Sequence, residues 1–286
     1  MRLKHSHLAC AWAAAVVLGL AHPANADEQP TRPPAPTAPP QAAPVESPLT
    51  ISADRPGFGD GTGIAPIGHL QLEVGYLFTF SDRNDVESQT HDLPQTLVRV
   101  GIIDDRLELR VGTAGYEYSR TDSGSGFEDE SGFNDVRVGA KVKLWDQDKY
   151  LPCVALVAST SIGVGSKNIS NRDIEPLLEL TASLDIAGGF SLGGSASVAY
   201  TSTDGDHFTQ GAGSVLVGYS ISDKLGCFAE YFLIYPNEKG SDAAHYVDFG
   251  ATYLLTDRIQ LDASAGFGLN DEADNFFVGA GISFLF

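Results

Sequence analysis

Across most of the chain, apolar residues recur at every second position for the length of a strand. Each run then stops at a short stretch of Asp, Gly, Ser or Lys. The last run shows the pattern plainly. Phe276, Val278, Ala280, Ile282 and Phe284 share one side, Gly279, Gly281 and Ser283 the other, and the chain ends on Phe286. A period of two belongs to β-strands, whose successive side chains stand on opposite faces. Twelve such runs are legible, at 70–80, 95–103, 107–118, 135–144, 154–164, 178–186, 190–200, 210–221, 227–235, 245–255, 259–267 and 275–286. They predict an all-β, antiparallel transmembrane β-barrel of about 12 strands. Twelve is even, as a single-chain bacterial barrel requires when both ends of the chain lie on one side.

The connections alternate in length. Those at 81–92, 119–132, 165–173, 201–207, 236–244 and 269–274 are longer and acidic, and are read as external loops. Those at 104–106, 145–150, 187–189, 222–224 and 256–258 are tight turns in all but one case, 145–150, and three repeat an Asp-Arg/Lys-Leu/Ile pattern at Asp105-Arg106-Leu107, Asp223-Lys224-Leu225 and Asp257-Arg258-Ile259. Short periplasmic turns facing longer external loops are the habit of outer-membrane barrels.

If the apolar face of each strand meets lipid, the other face is rich in charge. It carries Glu73, Arg99, Glu108, Arg110, Asp135, Arg137, Lys141, Lys143, Glu179, Asp185, Glu230, Asp248 and Asp262, eight acidic and five basic residues. An Arg or Lys at the bilayer midplane costs about 2–4 kcal/mol when it faces lipid, so these groups are expected to line the lumen. Two readings follow, a polar channel with charged walls and a self-neutralising network that closes the pore.

The N-terminus carries Arg2 and Lys4, an apolar stretch over 9–21, and the small-residue site Ala24-Asn25-Ala26. It reads as a secretory signal peptide, residues 1–26. Residues 27–50 are dominated by Pro and Ala and read as a disordered periplasmic linker, leaving 51–286 for the barrel. Loss of residues 1–26 takes the formal net charge from −19 to −21, which argues against nucleic acid as a partner. Cys153 and Cys227, on opposite faces of non-neighbouring strands, are too few for a disulfide framework. The terminal Phe286 has the placement of a signal for the barrel-assembly machinery. Lipid and lipopolysaccharide are the expected surroundings, and a small-molecule solute the expected cargo.

Candidate chemistry is sparse. The glycines of Gly59-Asp60-Gly61-Thr62-Gly63 are not followed by the Gly-Lys-Ser/Thr of a phosphate loop. Ser202, Asp204, Asp206 and His207, with Asp242 and His245, form the best hydrolase-like cluster, yet solvated external loops have the same composition. His69 and His91 lack partners at zinc-binding spacing, so no metal, cofactor or catalytic residue is expected. The acidic stretches 82–92 and 124–132 leave open a closed structural or adhesive barrel whose loops bridge to lipopolysaccharide through divalent cations.

Three segments carry a family resemblance: Asp54, Arg55, Pro56 and Gly57; the first strand Gly68-His69-Leu70-Gln71-Leu72-Glu73-Val74-Gly75-Tyr76; and Asn134-Asp135-Val136-Arg137-Val138-Gly139-Ala140-Lys141. From about residue 54 to the end, the chain resembles a bacterial outer-membrane family named after the meta-pathway of phenol degradation. It departs from the family pattern at Asn134, where a Gly is expected. The resemblance implies an outer-membrane barrel for uptake of small, often aromatic or hydrophobic compounds.

Overall fold

The computed structural model describes residues 49–286, apart from 84, 104, 171 and 204. The expected signal peptide, and the expected linker except for Leu49 and Thr50, lie outside the described residues. Fourteen strands run in chain order: β1 (Leu70–Arg83), β2 (Val86–Ile103), β3 (Leu107–Thr113), β4 (Tyr116–Asp122), β5 (Phe127–Phe133), β6 (Val136–Trp145), β7 (Cys153–Ile162), β8 (Glu175–Asp185), β9 (Phe190–Thr203), β10 (Asp206–Ser220), β11 (Leu225–Tyr235), β12 (Ala244–Thr256), β13 (Ile259–Gly268) and β14 (Phe276–Leu285). All pairings between them are antiparallel, and β1 pairs with β14 from Gln71↔Leu285 to Phe80↔Phe276, which closes the barrel.

Fourteen strands make twelve staves. The long strand β2 pairs with β3 along one half and with β4 along the other, so β3 and β4 are two halves of one stave. Their neighbours β6 and β5 divide in the same way. At the break Gly115 has a φ of +90°, and a Cβ there would overlap the carbonyl of Pro94. Glycine alone adopts that backbone cheaply so close to a neighbouring strand.

The strands run further than the alternation indicates. Most of the expected loop 81–92 belongs to β1 and β2, 119–132 to β4 and β5, and 201–207 to β9 and β10. Beyond the hydrocarbon both faces of a hairpin meet water, so a run such as Glu87-Ser88-Gln89-Thr90 pairs as sheet with no apolar side to announce it.

Burial is the reverse of that in a soluble protein. Leu109, Val111, Leu178, Leu180, Val215, Val217, Phe249 and Phe267 are exposed around the outside. The largest fully buried side chains are Arg99, Lys141, Gln71, Glu73, Glu108, Asp248 and Ser283. An exposed apolar belt around a closed sheet fits hydrocarbon, where every backbone N–H and C=O must be paired within the protein. This is an outer-membrane barrel.

Residues 51–66 are not part of the wall. Ile51 donates its N–H to the Asp257 carbonyl in the short turn before β13. The chain then runs into the lumen and returns to the same end, where Ile67 bridges Gly101 before β1 begins. Within the expected barrel segment 51–286, the first sixteen residues are thus a plug.

A charged plug in the lumen

Three of the lumen-facing cations converge on one carboxylate of the plug, Asp54. Lys141 Nζ lies 2.7 Å from Asp54 Oδ1, Arg110 Nη2 3.0 Å from Oδ2 and Arg99 Nη1 3.5 Å from Oδ2. They reach it from β6, β3 and β2, adjacent staves of one side of the wall. Burial alone would raise the Asp54 carboxyl, but the fields of Arg99, Lys141 and Arg110 outweigh it and hold the group well below the usual carboxylate range.

These cations also meet wall carboxylates. Arg99 donates to Glu108 through Nε and Nη2, both at 2.9 Å, and to Glu73 through Nη1 at 3.0 Å. It further binds the carbonyls of Ser52 and Gly63, as Lys141 binds that of Gly61. Arg110 takes Asp60 in a forked contact of 2.6 and 2.9 Å. Planar guanidinium groups suit such paired contacts, and each buried charge here has a partner.

The acidic residues hold the plug by its backbone. Glu73 accepts the N–H groups of Asp54 and Arg55, Glu108 that of Ala65, Glu179 that of Asp60 and Glu230 that of Phe58. Gln71 donates to the Ser52 carbonyl and to Glu73. Arg55 turns away from Asp54 and reaches Asp262 on β13 at 3.2 Å and Gln95 at 2.8 Å. Consecutive residues of opposite charge therefore tie the plug to two different walls.

Other candidate residues lie away from this network. Lys143 pairs with Asp105 and Asp146 near the short turns, where the exposed Asp185 meets Gln147 through its backbone. Asp135 accepts from Gly165 N and Ser170 Oγ and so caps the loop after β7. Arg137 lines a cavity with Ser161 and Glu175, and its Nη1 is buried without a hydrogen-bond partner. Phe286 lies at the seam, its N–H on the Leu70 carbonyl and its own carbonyl on His69 Nδ1.

In the hydrolase-like cluster, Ser202 Oγ donates to Asp173 and Glu175, and Asp206 pairs with Lys239. His207 lies 3.9 Å from that same Asp173 and stacks on Tyr200. His245 meets Tyr231. His91 packs among Tyr76, Phe78 and Tyr118. Among the described residues no group of His, Cys, Asp and Glu is arranged to hold a metal ion. Cys153 and Cys227 are both free.

Around the plug there is open space. A cavity of about 410 Å³ lies on one side and one of about 340 Å³ on another, and residues Asp54 to Gly57, Gly59 and Asp60 line both. The larger has an aromatic wall that the sequence reading did not single out. Phe58 of the plug stacks on Phe232 at 4.2 Å between ring centroids, Phe232 stacks on Tyr246 at 4.7 Å, and Phe277 leans against both. Through Thr79 and Asp274 this cavity adjoins a vestibule of about 1040 Å³ among the long hairpins.

Solved structures similar to this chain are outer-membrane barrels. An outer membrane channel from Pseudomonas putida F1 superposes with a TM-score of 0.63 at 13% identity, covering 79% of this chain and 98% of that one. The β domain of the Bordetella autotransporter BrkA gives 0.51 at 14% identity, covering 76% and 99%. The transport unit of the Escherichia coli autotransporter AIDA-I gives 0.51 at 7%, covering 76% and 88%. The comparison with curated proteins returned no match. The family model described as the MetA-pathway of phenol degradation matches residues 53–286, from the plug to the final phenylalanine, and the chain belongs to that family.

Proposed function

We propose that the protein is a passive outer-membrane channel for small molecules, with aromatic and hydrophobic compounds as the solutes it suits best. The observation that carries this reading is the pair of cavities flanking the plug, one of them walled by Phe58, Phe232, Tyr246 and Phe277. An aromatic-walled space of a few hundred Å³ matches a single-ring solute. The family's description in terms of phenol degradation, and the likeness to a Pseudomonas outer membrane channel, support the same class. The charged side chains on the inner face, from Glu73 to Asp262, act as pore-lining groups, and the ion network around Asp54 sets how far the plug narrows the lumen.

The reading includes no catalysis. The Ser202 hydroxyl donates to the Asp173 and Glu175 carboxylates, and His207 lies 3.9 Å from Asp173 on the same loop-facing surface. In this reading residues 1–26 are cleaved on export and the linker lies in the periplasm. The long hairpins face outward among lipopolysaccharide, and Phe286 serves recognition by the barrel-assembly machinery.

Single-channel recording in planar bilayers tests the proposal. The native protein should show small, steady openings, and Asp54→Asn should raise the conductance by loosening the plug. Silence from both proteins, with each shown to be inserted, would favour the closed structural barrel.

A further inference from the structure

We propose that the larger cavity binds a small organic cation, an ammonium group carried on an aromatic or apolar body. The site lies between the plug and strands β11, β12 and β14. Access to it rests on the channel reading above; binding itself does not. Asp248 and Glu230 stand directly opposite each other on β12 and β11, and both are buried. Glu230 accepts the Phe58 N–H through Oε2. Asp248 Oδ1 is buried with no hydrogen-bond partner, although Asp248 lines the cavity.

No Lys, Arg or His among the described residues forms an ion pair with either group. Arg55, which also lines this cavity, is engaged by Asp262 and Gln95. Of the opposed pair, Glu230 has the Phe58 N–H and borders the smaller cavity, while Asp248 faces the larger one with Oδ1 unpartnered and a second carboxylate beside it. A buried carboxylate without a partner is costly, and a positive ligand group removes the cost.

What surrounds the pair selects the kind of cation. Next to Asp248 and Glu230 lie Tyr246 and Phe232, with Phe58 stacked beyond, and aromatic faces attract ammonium groups while accepting an apolar body. A bare divalent ion would want six or more oxygens, which this wall does not supply. The approach has the same sign. The vestibule is lined by Asp82, Glu238, Asp271, Glu272 and Asp274, with Arg83 as its cation. An acidic mouth concentrates cations ahead of the site.

Calorimetric titration of the full-length protein in lipid nanodiscs decides the matter without requiring current. Phenethylammonium should bind, with phenethyl alcohol and phenylpropionate each about tenfold or more weaker. Asp248→Asn should abolish the preference for the ammonium over the alcohol while the protein keeps its folded-barrel mobility on gels. If the amide variant does not fold, Asp248→Ser provides the same comparison. Equal binding of ammonium and alcohol by the native protein, or a preference that survives at position 248 without a carboxylate, would overturn the proposal. Sodium or tetramethylammonium competing as well as phenethylammonium would also overturn it, by removing the role of the aromatic body. Absence of conductance with binding intact would count against the channel alone.

Discussion

Arg99 and Glu108 are locked together by two parallel hydrogen bonds of 2.9 Å, and neither side chain is exposed at all. They belong to the β2–β3 hairpin, and Arg99 also spans the gap to Glu73 on β1. One side chain thus neutralises two wall carboxylates and holds two carbonyls of the plug.

Arg99→Gln should therefore be among the most damaging single changes in the barrel. It leaves Glu73 buried without its cation and Glu108 with only the longer contacts to Arg110 and Lys141, a class of defect that costs about 3–5 kcal/mol. Lys143→Gln removes a cation of the same face, but its partners Asp105 and Asp146 are more than half exposed, and the loss should stay below about 1 kcal/mol. Urea unfolding of the two variants in the same lipid should separate them; equal losses would contradict the buried-network account.

The plug should resist mild acid. In the unfolded chain an aspartate titrates near about 3.9, while Asp54 in its triad of cations is held well below that. A depressed folded-state value means stability that is complete above the unfolded value and is lost as pH falls through the folded one. A thiol reagent reading a cysteine at Thr62 should find the plug equally protected at neutral pH and near pH 5. Release should begin only in stronger acid. Release already near pH 5 would show that Asp54 does not carry the docking.

Gly101 offers a way to disturb the plug from the wall. A methyl group there would overlap the carbonyl oxygens of Ala65 and Pro66, where the plug leaves the lumen beside β2. Backbone cannot yield as a side-chain tip does, so Gly101→Ala should displace 65–66 while the barrel stays closed. The expected result is higher conductance with normal heat-modifiable mobility on gels. Unchanged conductance would mean that the exit of the plug does not control the opening.

Deleting Phe286 removes its N–H bond to Leu70, its carbonyl contact with His69 and a ring that is 60% exposed on the outside. The loss of folded stability should be small, about 1 kcal/mol for the hydrogen bond. Assembly in cells should fall much further if the ring is read by the insertion machinery. Normal levels of the truncated protein in the outer membrane would contradict that role.

The barrel was legible because lipid imposes alternation on every stave, and short Asp-Arg/Lys turns mark where three of the hairpins reverse. The outer ends of the hairpins were not, since a strand with water on both faces has no apolar period. The plug was hidden for a different reason. Asp54-Arg55-Pro56-Gly57-Phe58 shows neither period two nor a helical period, and its partners are scattered from Glu73 to Asp262. The signal that was present is chemical: two opposite charges side by side, ahead of a flexible glycine run, with a charged inner face waiting to be neutralised. The aromatic wall escaped because Phe232, Tyr246 and Phe277 sit at inner-face positions of strands whose outer faces are also apolar.

The contact between Arg55 and Asp262 spans 207 residues of sequence, whereas Glu73 lies 18 residues from the Arg55 N–H it accepts. The segment that fills the lumen is thus the first part of the barrel region in sequence, and its contact with Asp262 needs nearly the last stave in place. Until β13 arrives, Asp54 and Arg55 can be satisfied on one flank alone. Closure of the wall and seating of its contents are in that sense linked, since the Asp262 anchor stands one stave from the β1–β14 seam.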